Sequence, residues 1–186
     1  MEAFTPVFID LYDPLKAGSI DGTDEYPHDR AISRAMGSTY KPNRFVQGIP
    51  ECTVFIGRLS PNSTEESIKK VMKQYGTIVR ARVVKDIITG FSKCYAFVEF
   101  VDEYQARNAV RSGNKTLIDD FEVLVDLEKE RTLKGWIPRR LGGGLGGKRE
   151  SGQLRFGGKD RPFRRPILRP DISTEKSDKM LMKRKM

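Results

Sequence analysis

Two short stretches carry residue types that could do chemistry together. Val54-Phe55-Ile56-Gly57-Arg58-Leu59 carries an aromatic and a cation, and in Lys93-Cys94-Tyr95-Ala96-Phe97-Val98-Glu99-Phe100 a cation and two aromatics, Lys93, Tyr95 and Phe97, recur at alternate positions. Successive side chains of a strand point to opposite faces. Tyr95 and Phe97 then share a face with Lys93, while Ala96, Val98 and Phe100 point the other way into a core. If the two stretches are neighbouring strands, Phe55 stands beside Phe97, and Arg58 closes the shorter stretch. Flat rings among cations suit a planar, polyanionic partner, and each nucleic-acid base stacked on such a ring contributes about 1–3 kcal/mol. Exposed rings without a partner would be an aggregation liability. The competing reading covers these rings with a returning arm or a protein ligand.

Reaction chemistry finds little support. An enzyme needs a nucleophile with a base, or a metal cluster. The one histidine, His28, lies in a segment without evident partners, and Cys52 and Cys94 are too far apart in sequence for zinc-ligand spacing. No catalytic residue, metal, cofactor or small-molecule substrate is therefore expected. No apolar run approaches the roughly 20 residues of a membrane span. With two cysteines and no secretory signal before the acidic start, a reducing compartment is expected.

The elements that must position the rings follow from local pattern. Thr53-Val54-Phe55-Ile56-Gly57 reads as a strand ended by Ser60-Pro61-Asn62. Ser63 with Glu66 predicts a capping box, and Ile68, Val71, Met72 and Tyr75 recur at helical spacing up to Gly76. Residues 78–85 alternate Val79, Ala81 and Val83 with Arg80 and Arg82, a half-buried strand. Residues 86–93 read as a loop around Thr89-Gly90, and 94–100 as a third strand. A second helix over 102–112 carries Tyr104, Ala106, Ala109 and Val110, and Val123-Leu124-Val125 is the fourth strand. The order βαββαβ predicts an α+β, ferredoxin-like domain over residues 51–128, with a four-stranded antiparallel sheet whose two helices cover one face and leave the other open.

Charge is unevenly distributed about this domain. Of the net +9, residues 127–186 contribute +11, against −3 for residues 1–51 and +1 for residues 52–126. The basic stretch predicts a polyanionic partner, with nucleic acid ahead of a membrane surface because no amphipathic helical spacing accompanies it. Residues 1–50 read as an extended N-terminal arm, with one or two helical turns at 29–35, and residues 129–186 as a basic Gly/Arg-rich C-terminal arm. Gly142 to Gly147-Lys148 has the spacing of a phosphate-binding loop, but Arg149 stands where a magnesium-binding hydroxyl belongs and no strand precedes it. The preferred reading is a flexible segment whose Arg139, Arg140, Lys148 and Arg149 follow a phosphate backbone. Trp136 either stacks on a base or packs onto the domain edge. Arg155, Arg161, Arg164 and Arg165, with Phe156 and Phe163 between them, suit stacking and phosphate contact or a solvated tail.

The octapeptide at 93–100 resembles that of RNA-recognition motifs, Lys/Arg-Gly-aromatic-Gly/Ala-Phe-Val-x-aromatic, and departs only where Cys94 replaces glycine. A more restrictive likeness lies in Trp136-Ile137-Pro138-Arg139-Arg140-Leu141-Gly142-Gly143-Gly144-Leu145-Gly146. With Asp13-Pro14-Leu15-Lys16-Ala17-Gly18 in the arm and Gly147-Lys148-Arg149-Glu150-Ser151-Gly152-Gln153-Leu154-Arg155-Phe156 after it, the chain resembles a family of spliceosomal small nuclear ribonucleoprotein proteins. That family spans the major and minor spliceosomes, and the arm blocks favour its minor-spliceosome branch. The resemblance implies a nuclear splicing protein that binds the 5′ stem-loop of U11 small nuclear RNA and supports 5′ splice-site recognition in U12-type introns. It implies that Phe55, Tyr95 and Phe97 take the loop bases and that Arg139 and Arg140 lie against the stem. It also implies that the N-terminal arm docks on other proteins of the U11/U12 particle. A protein-binding variant of the domain, acting as a scaffold through its helical face, is the alternative.

Overall fold

The computed structural model describes residues 11–147 and 154–165, which fall into two compact units. The first, within residues 13–38 and 139–165, begins with α1 (Pro14–Gly18) and α2 (Arg30–Met36). Asp13 caps α1 by accepting from the Leu15 N–H, and Asp29 caps α2 by accepting from the Ile32 N–H at 2.7 Å. Helix α2 thus forms where one or two turns are expected at 29–35, whereas α1 forms where the sequence reads as extended chain. Each is too short to show a period, and each is ordered by residues more than a hundred positions away. Gly18 packs against Ile32, the Phe156 N–H donates to the Ala17 carbonyl at 2.8 Å, and the Arg164 N–H donates to the Ile20 carbonyl at 2.9 Å.

The tail residues expected in solvent form the centre of this unit. Arg155 is fully buried, and Phe156 and Phe163 are nearly so. The Arg155 guanidinium donates to the Gly142 carbonyl and pairs with Asp29 at 3.4 Å. Burial pushes the Asp29 carboxyl up, but the Ile32 N–H and Arg155 outweigh it and hold the carboxyl below its usual range. The glycine-rich run is correspondingly specific in conformation. Gly142 (φ +93°) lies so close to α2 that a Cβ there would sit 2.0 Å from the Ala31 carbonyl oxygen. These glycines permit close backbone packing, which corrects their reading as a flexible tether.

The second unit, residues 11–12 and 39–138 among those described, holds the ferredoxin-like domain. Its elements are β1 (Thr53–Gly57), α3 (Glu65–Met72), β2 (Ile78–Lys85), β3 (Ser92–Phe100), α4 (Glu103–Ser112), the small hairpin β4 (Leu117–Ile118) and β5 (Phe121–Glu122), and β6 (Leu124–Leu127). The antiparallel sheet runs β2-β3-β1-β6, so the strands carrying the rings are the central pair. One sheet face and the two helices bury Val54, Ile56, Ile68, Met72, Ala96, Val98, Phe100, Ala106 and Val125.

Several local expectations shift. The capping box uses Thr64 and Ser67 in place of Ser63 and Glu66. Ser63 is instead buried and donates to the Asp119 carboxylate at 2.6 Å, a long-range bond that takes its hydroxyl away from the helix end. A register shift between Ile78 and Arg80 turns Val79 outward, 57% exposed, and lets Ile78 face the core. Tyr104 is 81% exposed on α4, whose packed residues are Ala106 and Ala109. The hairpin before β6 turns through Asp119 and Asp120, both at positive φ as a two-residue type I′ turn demands.

Candidate nucleic-acid interface

The core dictates what the open face displays. Because Val54, Ile56, Ala96 and Val98 are buried beneath the helices, alternation sends Phe55, Tyr95 and Phe97 to the other side, where all three are half-buried. Phe55 is in register with Phe97, and Gly57 with Tyr95. Ring centroids lie 5.8 Å apart for Phe55 and Phe97, 5.7 Å for Phe55 and Tyr95, and 6.1 Å for Tyr95 and Phe97. These separations are those of favourable aromatic pairs, so the three rings support one another as a pre-formed surface. Gly57 makes room for it: a Cβ there would sit 2.9 Å from the Phe55 ring.

Cations border the rings. Arg82, exposed on β2, is in register with Phe97, and Arg80 beside it with Glu99. Neither was singled out from the sequence as a binding residue, although the alternation with Ala81 and Val83 places both on the ring face. Lys93 is exposed and lies 3.5 Å from Asp86. The Thr89 N–H and hydroxyl hold the Asp86 carboxyl below the usual carboxylate range, and together with the Ile88 N–H they fix the β2–β3 loop. That loop presents Ile87, Ile88 and Phe91 to solvent.

Arg58 and Cys94 occupy adjoining positions where β1 and β3 part, both in the left-handed region at φ +65° and +59°. The Leu59 N–H donates across to the Cys94 carbonyl at 3.0 Å. The glycine usual at position 94 of this motif is therefore a conformational requirement, which cysteine meets at a cost of about 1–2 kcal/mol. Both cysteines are free thiols, and burial pushes the Cys52 thiol up.

The remaining candidates divide between the units. Trp136 packs edge-on against Tyr12, centroids 4.9 Å apart, beside a backbone bond from the Tyr12 N–H to the Lys134 carbonyl at 2.8 Å. Of the two readings of Trp136, this is the packing one. Arg139 and Arg140 belong to the other unit, where Arg139 donates to the Gly146 carbonyl and Arg140 is exposed. Lys148 and Arg149 lie outside the described residues. Among the described residues no helix is long and apolar enough to cross a membrane, and no group of His, Cys, Asp or Glu is placed to hold a metal.

Comparison with known proteins matches residues 54–124 to the RNA recognition motif family. The U11/U12 small nuclear ribonucleoprotein 35 kDa protein of Xenopus laevis is 62% identical over 170 residues, covering 91% of this chain and 62% of that protein. The protein of the same name from Danio rerio is 59% identical over 157 residues, covering 84% of this chain and 76% of its own length. The U1 small nuclear ribonucleoprotein 70 kDa homolog of Schizosaccharomyces pombe is more distant, 39% identical over 127 residues, covering 67% of this chain and 49% of that protein. The chain thus spans a little over three-fifths of the Xenopus protein and three-quarters of the Danio one. An identity of this level, extending through both arms as well as the sheet domain, places the chain in the family of the U11/U12 small nuclear ribonucleoprotein 35 kDa protein.

Proposed function

We propose that this chain is a non-enzymatic, nuclear RNA-binding component of the minor spliceosome, which grips the 5′ stem-loop of U11 small nuclear RNA and so supports 5′ splice-site recognition in U12-type introns. The observation that carries the reading is the cluster of Phe55, Tyr95 and Phe97 on the open sheet face, with Arg82 beside Phe97. Loop bases stack on the rings and phosphates meet the bordering cations, an arrangement that binds single-stranded RNA without a reaction. Arg139 and Arg140, with Lys148 and Arg149 after them, add contacts to the duplex stem, and the particle's other proteins are further partners. A scaffold reading draws on a different feature, the exposed Tyr104 on α4, which offers an aromatic handle on the helical face.

Binding of the full chain to the U11 5′ stem-loop, the U1 5′ stem-loop and a loop-scrambled U11 control, measured over a range of salt, distinguishes these. Preference for the U11 loop of about tenfold or more, with affinity falling steeply as salt rises, is expected, because loop bases supply the specificity and phosphate contacts release counterions. Equal and weak binding to all three would favour the scaffold.

A further inference from the structure

The segment leading into β1 does not leave the sheet. Glu99 sits two residues beyond Phe97 on the same face of β3, and its carboxylate accepts from the Ile49 N–H at 2.9 Å. Gly48, at φ +100°, lies so close over that carboxylate that a Cβ would come within 2.6 Å of it. The Gly48 carbonyl accepts from Arg131 at 2.8 Å, and the Gln47 side chain accepts from Arg80 on β2 at 2.9 Å. Arg131 is itself held by both oxygens of the nearly buried Glu128. Three consecutive residues are therefore pinned across one end of the open face, from the strand after which Arg131 follows to the edge strand β2.

Phe45 stands two residues before Gln47, the residue bonded to Arg80 of the edge strand β2, and is 89% exposed. Its backbone is fixed, since its N–H donates to the Asn43 side chain at 3.0 Å and the Val46 N–H to the Asn43 carbonyl at 3.3 Å. Lys41 and Arg44 precede it, both exposed. Resting on the reading of the open face given under Proposed function, we propose that Phe45 is a further base-stacking residue, which takes the nucleotide leaving the Phe97 platform over Arg82 and the β2 edge. A protein partner is the less fitting occupant, because the ring is flanked by cations suited to phosphate, and because an exposed aromatic among basic residues repeats the composition of the platform itself.

The test uses the full chain, with U11 5′ stem-loop RNA carrying 2-aminopurine at successive loop positions. Phe45→Ala should weaken binding about five- to tenfold and remove the fluorescence quenching of one nucleotide, leaving quenching by the platform in place. Phe45→Tyr should restore both, and neither variant should alter thermal melting, because the ring is in solvent. Unchanged affinity in Phe45→Ala alongside a loss in Phe97→Ala would overturn this inference and leave the platform standing. Unchanged affinity in both would overturn the platform as well. If Phe45→Ala instead abolished binding of the particle's proteins while RNA affinity held, the residue would serve a protein and the inference would fail.

Discussion

Changing Phe55 and Phe97 to alanine together is expected to weaken binding to the U11 5′ stem-loop at least about thirtyfold, roughly 2 kcal/mol, with only a modest effect on folding. Each ring lost removes a stacking partner of about 1–3 kcal/mol. The two effects should combine less than additively, because the rings touch each other at 5.8 Å and each supports its neighbour. Stability should change little by comparison, since neither ring belongs to the buried cluster between sheet and helices. A fall in melting temperature of less than about 10 °C is expected, the scale for losing one aromatic pair from a domain of this size. Phe100→Ala provides the contrast. That ring is 1% exposed on the opposite face of the same strand, and its loss should cost about 3–5 kcal/mol of stability. Thermal melting of the two variants beside RNA titration separates binding from packing; collapse of the Phe55/Phe97 double variant would reassign those rings to the core.

The second large effect concerns the other unit. Gly142→Val should dismantle it, because the position combines a left-handed backbone at φ +93° with a Cβ site 2.0 Å from the Ala31 carbonyl oxygen. Neither the residue nor helix backbone can yield without separating α2 from the glycine run, and the Arg155 guanidinium would lose its bond to the Gly142 carbonyl in the same movement. Hydrogen exchange should show loss of protection at Ile32, Phe156 and Arg164, with the sheet amides of β1 and β3 unaffected. Gly90→Ala is the matching control, since it too has a positive φ but open space around it. Unchanged protection in Gly142→Val would mean that the glycine run does not hold this unit together.

These two results concern features that differ greatly in how far sequence alone reveals them. The platform was legible because a strand's two-residue alternation is local. Once Ala96 and Val98 are assigned to the core, Tyr95 and Phe97 must face away, and the register of Phe55 with Phe97 follows from the pairing of the two motif strands. Errors within the domain were of one residue or one turn. Ser63-x-x-Glu66 and Thr64-x-x-Ser67 both offer hydroxyls at capping spacing, and the choice between them was made by Asp119, more than fifty positions away. The exposure of Val79 depends on a register shift that strict alternation cannot show.

Outside the domain, chemistry was misread because its partners are distant in sequence. Arg155 among glycines, lysines and phenylalanines has the composition of a solvated basic tail, yet Asp29 and the Gly142 carbonyl surround it. The signal that could have found this was conformational: closely spaced glycines with phenylalanines suit tight packing as well as they suit flexibility. The contribution of residues 47–49 to the open face was similarly hidden, since it depends on Glu99, Arg80 and Arg131 meeting one segment from three directions.

Ultraviolet crosslinking of the full chain to the U11 5′ stem-loop, followed by peptide mapping of the adducts, tests most directly whether RNA covers the open sheet face. Adducts on the β1 peptide at Phe55 and on the β3 peptide at Tyr95 and Phe97 are the predicted result. Adducts confined to α3 and α4, or to the basic residues after 139, with both strand peptides unmodified, would contradict it.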